Sequence, residues 1–208
     1  MIRILVADDH TVVREGIKQI LAGQDDMIVE DEAASGQEVL QKVTQKNYDL
    51  ILLDISMPGR SGLEILDDLK TLHPKIPVLI LSMHPEEQYA VRTLRAGAAG
   101  YLTKASAPQE LISAIQKVSR GGKYVTVSLA EKLAFELDAG AEKPRHEKLS
   151  NREYQVMLML ASGRSVREVA EELCLSAKTI STYRTRILEK MDMKKNAELT
   201  LYAVKNNL

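Results

Sequence analysis

Charged and hydroxyl side chains follow four short apolar runs in this 208-residue chain. Asp8 and Asp9 follow the run IRILVA, and Asp54 follows LILL. Ser82 ends the run VLILS, and Lys104 comes directly after AGYLT. Carboxylates brought within a few ångström repel by about 4 kcal/mol per pair at an effective dielectric constant near 20. If these runs meet in the fold, the carboxylates need a cation beside them.

Mg²⁺ is the cation that suits this set, because it prefers hard oxygen ligands and keeps several waters. We expect Asp9 and Asp54 to bind it directly, Asp8 to bind through water, and the Ser56 carbonyl to complete the protein ligands. Lys104 supplies a second positive charge. Such a site can hold the charged oxygens of a phosphoryl group while a carboxylate attacks phosphorus in line. The residues therefore predict that Asp54 is a phosphate acceptor and forms an acyl phosphate.

The elements that position these residues are predicted by hydrophobic periodicity. Five apolar runs of strand character lie at residues 2–7, 27–33, 50–53, 78–82 and 99–103. Segments with helical period lie between them, such as 12–22 and 62–72. This alternation predicts an α/β fold with a parallel sheet covered on both faces, in which ligands bind at the carboxyl ends of the strands. Run 27–33 alternates apolar with acidic residues and is the predicted edge strand, and His10 is expected at the surface where the first helix starts.

Two domains of different charge are predicted along the chain. Residues 1–121 form the first and 149–208 the second, with a connector at 122–148 that holds a short helix around 128–137. Residues 1–121 contain 13 basic and 17 acidic side chains, whereas residues 145–195 contain 11 basic and 7 acidic ones. An acidic first domain and a basic second domain predict different partners.

Composition favours a soluble globular protein of the cytoplasm. The chain is 45% hydrophobic and 27% charged, and it has one cysteine, Cys174, so a disulfide framework is excluded. We expect Cys174 to be a packed thiol. No apolar run reaches the roughly 18 to 20 residues of a membrane span, and the N-terminus lacks the order of a signal peptide. The sequence thus predicts neither a membrane segment nor export.

The basic domain has three serine-led helix starts, in residues 149–153, 165–168 and 175–179. The helix after the third start has an apolar stripe and a face rich in threonine and cationic residues. A solvated helix is the alternative, but such helices favour Glu/Lys pairs, and this face has a single acid, Glu189. The face therefore predicts a helix that enters the major groove of DNA. Arg152 and Glu153 are expected to form a salt bridge in the small core.

The stretches ADDH, LLDISMPGRSG, LSM and GAAGYLTK resemble the signatures of the receiver domain of two-component response regulators, over residues 1–121. The resemblance implies a flavodoxin-like, doubly wound five-stranded sheet of order 2-1-3-4-5. It implies that a sensor histidine kinase supplies the phosphoryl group. It also implies a switch in which Ser82 follows the phosphate while Tyr101 turns inward.

Residues 149–208 resemble the LuxR-type helix-turn-helix of the NarL/FixJ regulators. The resemblance implies a small all-α domain that binds double-stranded promoter DNA, with RNA polymerase as a possible further partner. By position, the residues that face base edges are Ser181, Thr182 and Thr185. Those that hold phosphates are Lys178, Thr179, Arg184, Arg186 and Lys190.

The last segment, NAELTLYAVKNNL, has more apolar surface than one small domain can bury if it is a helix. Ala197, Leu201 and Val204 lie on one stripe, and Leu199 and Ala203 lie on another. Two-fold dimers are the commonest assembly and suit two recognition helices on an inverted repeat. We expect the 197/201/204 stripe to form the contact of a homodimer on DNA and the 199/203 stripe to face the domain's own core.

Together these features predict a DNA-binding response regulator that assists its own Mg²⁺-dependent phosphorylation but is not otherwise an enzyme. A Mg²⁺-dependent phosphatase or phosphotransferase of small substrates is the alternative. It is disfavoured because such an enzyme places a second aspartate near the acceptor, where this chain has Ile55 and Ser56. A third possibility is a receiver whose second domain binds only protein, which a binding assay with genomic fragments would distinguish.

Overall fold

The computed structural model describes residues 1–138 and 144–208 and divides the chain into two compact units, Met1–Ala134 and Phe135–Leu208. The predicted connector at 122–148 includes residues 139–143, which lie outside the described residues. In the part of the chain that is described, no helix has the length and apolar character needed to cross a membrane. The first unit extends past residue 121, the predicted end of the first domain.

The first unit is built on a parallel five-stranded sheet. Its strands are β1 (Ile2–Ala7), β2 (Met27–Ala33), β3 (Leu50–Leu53), β4 (Val78–Ser82) and β5 (Gly100–Thr103). The strand order is β2-β1-β3-β4-β5. This order confirms the predicted flavodoxin-like fold, and only β5 departs from the predicted bounds, starting one residue later than expected.

Four helices connect consecutive strands, a fifth follows β5, and together they cover the sheet. They are α1 (Thr11–Ala22), α2 (Gly36–Gln45), α3 (Gly62–Leu72), α4 (Glu86–Arg95) and α5 (Pro108–Ser119). Every residue of β3 and β4 is buried, as expected for strands that have helices on both faces. Strand β2 lies at the edge, as predicted, and its Asp31 accepts a 2.8 Å hydrogen bond from Lys46.

The segment after α5 returns to the sheet, which is why the first unit continues beyond residue 121. The Tyr124 amide donates to the Ala99 carbonyl at 2.8 Å, and Tyr124 forms a parallel bridge with Gly100. Thr126 donates to Glu86 in the first turn of α4 at 2.5 Å. The helix α6 (Val127–Asp138) then runs across the division between the two units.

The second unit is helical. A short 3₁₀ helix at Arg145–Lys148 precedes α7 (Asn151–Ala161), α8 (Val166–Glu172), α9 (Ala177–Met191) and α10 (Asn196–Lys205). The three predicted serine-led starts are confirmed, because Ser150, Ser165 and Ser176 cap α7, α8 and α9 and each accepts a hydrogen bond from the amide three residues on. The apolar stripe of α9 faces the core, with Ile180, Ile187, Leu188 and Met191 buried.

Candidate functional site

The carboxyl ends of β1 and β3 bring the predicted acidic residues together. Each of Asp8, Asp9, His10 and Asp54 offers a ligand atom within 4.8 Å of those of the other three. Asp8 and Asp54 are each 1% exposed, whereas Asp9 is partly open to solvent. The sheet order explains the grouping, because β1 lies between β2 and β3 and so ends beside Asp54. The adjacent Asp8 and Asp9 and the sequence-distant Asp54 thus form one cluster at the edge predicted for ligands.

Lys104 is the cation within this cluster. Its Nζ lies 2.5 Å from Asp8 Oδ2 and 2.7 Å from Asp54 Oδ2, and its amide donates to the Ser82 carbonyl at 2.8 Å. Burial acts to lower the pKa of Lys104, but the hydrogen bonds to Asp54 and Asp8 outweigh it and raise the pKa above its usual value. Lys104 therefore stays charged at neutral pH.

Burial shifts the pKa of Asp54 in the direction that favours its neutral form. It raises the pKa of Asp54 above its usual value, and the hydrogen bond from Lys104 offsets this only in part. A carboxylate in this environment is poorly solvated, so additional positive charge beside it is favourable.

The loop after β3 packs closely against Asp54. The Ser56 amide donates to Asp54 Oδ1 at 3.1 Å, and the Gly62 amide donates to the Ile55 carbonyl at 2.9 Å. A Cβ added at Gly62 would overlap the carbonyl oxygen of Asp54, so only glycine allows this approach. Ser61 is fully buried and forms a capping box with Glu64, which starts α3 against the loop.

The predicted switch residues lie beside the cluster at the ends of β4 and β5. Ser82 is fully buried and its Oγ accepts a 3.1 Å hydrogen bond from the amide of His84. Tyr101 already lies in the inward position to which the expected switch would turn it, and its hydroxyl donates to the His84 carbonyl at 2.8 Å. Burial raises the pKa of Tyr101, so the phenol remains a donor at neutral pH.

His84 is a residue of this site that sequence reasoning missed. Its Nε2 lies 3.1 Å from Ser56 Oγ, so it joins the loop after β4 to the loop after β3. The available signal was its position, two residues beyond the end of β4. His10 lies at the start of α1 with its side chain 61% exposed, as predicted, and its Nδ1 is 3.2 Å from Asp8 and 3.0 Å from Asp9.

The donor set fits a hard divalent cation. Three carboxylates and one ammonium leave the cluster with excess negative charge. Among the described residues, Asp8 Oδ2 and Asp9 Oδ1 are buried, and each has a single polar side-chain neighbour, the Lys104 ammonium at 2.5 Å and His10 Nδ1 at 3.0 Å. Buried carboxylate oxygens with unused acceptor capacity are ligands of the kind that Mg²⁺ takes.

The residues predicted to contact DNA lie on α9 and differ in their exposure to solvent and in their contacts within the unit. Exposed members are Lys178, Ser181, Thr182, Thr185, Arg186 and Lys190, whereas Thr179 and Arg184 are half-buried. Arg184 Nε donates to Asn196 Oδ1 at 2.7 Å, at the start of α10. Lys190 Nζ donates to the buried Glu153 Oε2 at 2.7 Å. These two cations are therefore already engaged within the unit.

Two sequence expectations about this unit are wrong. Glu153 pairs with Lys190, and Arg152 donates to Gln155 Oε1 at 2.8 Å, because consecutive helical residues do not face each other. Cys174 is exposed, not packed. It has a φ of 52° in the turn between α8 and α9, and this left-handed turn position directs its side chain to solvent.

The two predicted stripes of α10 differ in burial. Leu199 and Ala203 lie in the core of the unit. Leu201 and Val204 are 56% and 70% exposed, and Ala197 is exposed as well. An apolar stripe therefore remains on the surface of the second unit.

Comparison with known families matches both units. Residues 4–116 match the response regulator receiver domain, and residues 147–203 match the bacterial regulatory proteins of the luxR family. The response regulator GacA of Pseudomonas protegens is 40% identical over 208 residues, covering 100% of this chain and 98% of that protein. The chain belongs to the NarL/FixJ family of response regulators.

Further relatives and solved structures are similar to this response regulator over all or about two thirds of the chain. The oxygen regulatory protein NreC of Staphylococcus carnosus is 39% identical, covering 99% of this chain and 98% of that protein. A two-component response regulator of the LuxR family from Aurantimonas sp. SI85-9A1 has a TM-score of 0.61 at 31% identity, covering 66% of this chain and 98% of that one. RcsB of Salmonella typhimurium has a TM-score of 0.73, covering 100% and 98%, and at 24% identity it supports the fold alone.

Proposed function

We propose that this response regulator accepts a phosphoryl group on Asp54 from a sensor histidine kinase and in response changes its binding to promoter DNA. One observation carries the first step. Buried Asp54 lies among Asp8, Asp9 and Lys104 at the end of the sheet, with its own charge poorly solvated. A phosphoryl group transferred to Asp54 would lie beside the Lys104 ammonium, and a divalent cation held by the neighbouring carboxylates would balance the remaining negative charge.

Each residue of the cluster has its own role in the phosphoryl transfer. An Asp54 oxygen forms the new bond to phosphorus while the bond to the kinase's phosphohistidine nitrogen breaks, and that nitrogen keeps the bonding electron pair. Lys104 holds a phosphoryl oxygen. Mg²⁺, when bound, neutralises charge on the other oxygens. Asp9 and Asp54 would hold it directly, Asp8 through water, and the Ser56 carbonyl would complete the protein ligands. In this sense the receiver assists its own phosphorylation.

The switch is proposed to start at Ser82. In the structure its hydroxyl accepts from the His84 amide, and Tyr101 donates to the carbonyl of the same residue. When Ser82 turns to donate to a phosphoryl oxygen, the His84 amide loses this acceptor. The loop between β4 and α4 must then rearrange while Tyr101 stays inward.

The DNA contacts are proposed on α9 of a domain at residues 149–208, joined to the receiver at 1–121 by the connector at 122–148. Base edges are contacted by Ser181, Thr182 and Thr185. Phosphates are contacted by Lys178, Thr179, Arg184, Arg186 and Lys190. The engagement of Arg184 and Lys190 within the unit makes Lys178 and Arg186 the stronger phosphate contacts.

Assembly is proposed to be a homodimer on DNA through Ala197, Leu201 and Val204. The exposure of this stripe beside a buried Leu199 supports the assignment. A cytoplasmic location is proposed because the partners are promoter DNA and the phosphorylated domain of a kinase. RNA polymerase is a further proposed partner.

Mg²⁺-dependent labelling tests the acceptor. The full chain is incubated with a small phosphodonor such as acetyl phosphate, and the phosphorylated peptide is identified by mass spectrometry. Asp54→Asn should lose the label, and Asp25→Asn, an exposed acid distant in sequence, should keep it. Undiminished labelling of Asp54→Asn would exclude Asp54 as the acceptor, and turnover of many phosphate esters per chain would favour the phosphatase alternative.

Selection of genomic fragments by the acetyl phosphate-treated chain tests the second step. Bound fragments should share an inverted repeat, and Thr182→Ala should change which sequence is preferred. Equal losses on all sequences would refute base reading by Thr182, and the absence of any retained fragment would favour a protein-binding second domain.

A further inference from the structure

Arg14 in α1 makes a three-way contact close to the acidic cluster. Its Nε donates to Glu32 Oε2 at 2.8 Å, its Nη1 donates to the Asp8 carbonyl at 2.7 Å, and its Nη2 donates to Thr11 Oγ1 at 3.2 Å. The side chain is only 13% exposed. An arginine with three separate partners in a fixed fork is a rigid connection.

Among the backbone hydrogen bonds of the described residues, none reaches the Asp8 carbonyl from a strand, and this gives the Arg14 contact its importance. Strand β1 ends at Ala7, and the last bond from this strand end to β2 is the 3.0 Å bond from the Asp8 amide to the Ala33 carbonyl. The Asp8 carbonyl lies beyond that bond, where Arg14 supplies the donor. Glu32 directly precedes Ala33 in β2. The Asp8 amide is therefore bonded directly to the end of β2, and the Asp8 carbonyl is linked to the same strand end through Arg14.

The same peptide carries two of the cluster's carboxylates. The Asp8 carbonyl belongs to the peptide that joins Asp8 to Asp9, so a displacement of this peptide would move the Cα atoms of both residues and, with them, both carboxylates. Asp8 Oδ1 is fixed by the His10 amide at 2.8 Å, whereas among the described residues the neighbour of Asp9 Oδ1 is the exposed His10 ring, with Nδ1 3.0 Å away. The position of Asp9 therefore depends largely on its backbone.

The partner of Arg14 on β2 is held in its charged form. Lys18 donates to Glu32 Oε1 at 2.7 Å, and the hydrogen bonds from Lys18 and Arg14 hold the pKa of Glu32 below its usual value. Lys18 thus binds the same carboxylate as Arg14 but makes no contact with Asp8 in the described hydrogen bonds. It offers a matched control.

We propose that Arg14 is a positioning residue for the cation site of the receiver, acting through the Asp8 carbonyl to fix the Asp8 and Asp9 carboxylates. This role rests on the proposed binding of Mg²⁺ at the cluster. Arg14 itself contacts neither the cation nor the phosphoryl group. Without the Arg14 side chain, the Asp8 and Asp9 carboxylates remain but are less well positioned. In other metal sites, loss of a residue that orients the ligands lowers metal affinity by about 10- to 100-fold.

Calorimetric titration of the full chain with Mg²⁺ tests the proposal, with urea unfolding of the metal-free protein measured in parallel. Arg14→Met should raise the Mg²⁺ dissociation constant about tenfold or more. Arg14→Lys should recover only part of the affinity, because an ammonium cannot reproduce the fork. Lys18→Met should lower stability but bind Mg²⁺ as the wild type does. In phosphorylation with acetyl phosphate, Arg14→Met should need more Mg²⁺ for half-maximal rate.

The Mg²⁺ affinities of the wild type and the variants distinguish the existence of the cation site from the positioning role of Arg14. If the wild type binds no Mg²⁺, the cation site itself is refuted. If the wild type binds and Arg14→Met binds equally well, or if Lys18→Met loses as much affinity as Arg14→Met, the positioning role is refuted. Should Arg14→Met fail to fold, Glu32→Gln serves instead, because it weakens the anchor of Arg14. An unchanged Mg²⁺ dissociation constant in Glu32→Gln would then overturn the proposal.

Discussion

The two units use charge in opposite ways. In the first, Asp8, Asp54 and Lys104 come from three strands and are buried together. In the second, Lys178 and Arg186 lie exposed on a single helix. Buried charges interact strongly and demand exact partners, whereas exposed cations are screened and remain free for a polyanion. The first site is therefore made by the topology of the fold, and the second by which side chains the fold leaves unused.

Lys190 and Arg184 are exceptions to this contrast between buried, paired charges and exposed, unpaired ones. Both lie on α9 among the predicted phosphate contacts, but Lys190 pairs with buried Glu153 and Arg184 bonds to Asn196. A cation on the recognition helix can therefore support the domain's own packing. Substitution of individual side chains in the two units separates these roles.

The division of α10 into a core stripe and a surface stripe is tested by placing a charge on each. Leu199→Glu should unfold the second unit, because it forces a carboxylate into a fully buried site. Leu201→Glu should leave the unit folded but abolish cooperative binding to an inverted repeat. Circular dichroism and DNA titration measure the two effects. Cooperative binding retained by Leu201→Glu would show that this stripe is not the dimer contact.

A substitution at Gly62 tests the close packing against the backbone of Asp54. Gly62→Ala should lower the free energy of unfolding by about 1–3 kcal/mol and slow phosphorylation, since the new Cβ must displace the Asp54 backbone. Gly16→Ala in α1 is the control, because no atom lies within 4 Å of its added Cβ. It should stabilise the chain by about 0.5–1 kcal/mol. Equal stability of the two variants in urea would contradict this account of the loop.

The two roles of cations on α9 are separated by Lys178→Met and Lys190→Met. Lys178→Met should reduce the slope of log K against log salt by about 0.9 and leave stability unchanged. Lys190→Met should reduce stability by about 1–2 kcal/mol with a smaller change in slope, because it leaves Glu153 buried without its cation.

The pH dependence of that stability difference gives an independent check. Burial acts to raise the pKa of Glu153, but the hydrogen bonds from Lys190 and Ser150 outweigh it and hold the pKa below its usual value of 4.5. A lowered pKa gives stability that is present above that value and lost as the pH falls through the folded-state pKa. The difference between wild type and Lys190→Met should therefore shrink in acid. A difference that is constant from neutral to acid pH would argue against the pair.

The smallest effect is expected at Cys174, whose left-handed backbone suits glycine. Cys174→Gly should raise stability by up to about 1 kcal/mol, whereas Cys174→Val should lower it by about 1 kcal/mol, since a β-branched residue is strained there. Both should bind DNA with the wild-type salt slope. If the valine variant is as stable as the glycine variant in urea, backbone strain at this turn is unimportant.

The sequence predicted most of the first site because local patterns identify the strands and their ends, whereas the order of the strands in the sheet was implied by the family resemblance. Asp8, Asp9, Asp54, Ser82 and Lys104 each come at or just beyond the end of an apolar run. Parallel strands place those ends at one edge, so no knowledge of side-chain contacts was required. The bounds of β1 to β4 could be read directly from the same runs.

Contacts between elements could not be predicted in this way. Arg14 meets Asp8 and Glu32 only because α1 packs beside β2, and its place in the sequence gives no sign of either partner. The pair of Lys190 and Glu153 joins α9 to α7 and depends on the direction of two long side chains. Helical spacing predicts which face a residue lies on but not which neighbour engages it.

The central claim is that a phosphoryl group on Asp54 controls the binding of α9 to DNA. The most direct measurement is the DNA dissociation constant of the full chain on a selected fragment, with and without acetyl phosphate and Mg²⁺, at fixed salt. We predict that phosphorylation changes this constant in the wild type and leaves it unchanged in Asp54→Asn. The same change in both proteins, or none in a wild type shown to be phosphorylated, would contradict the claim.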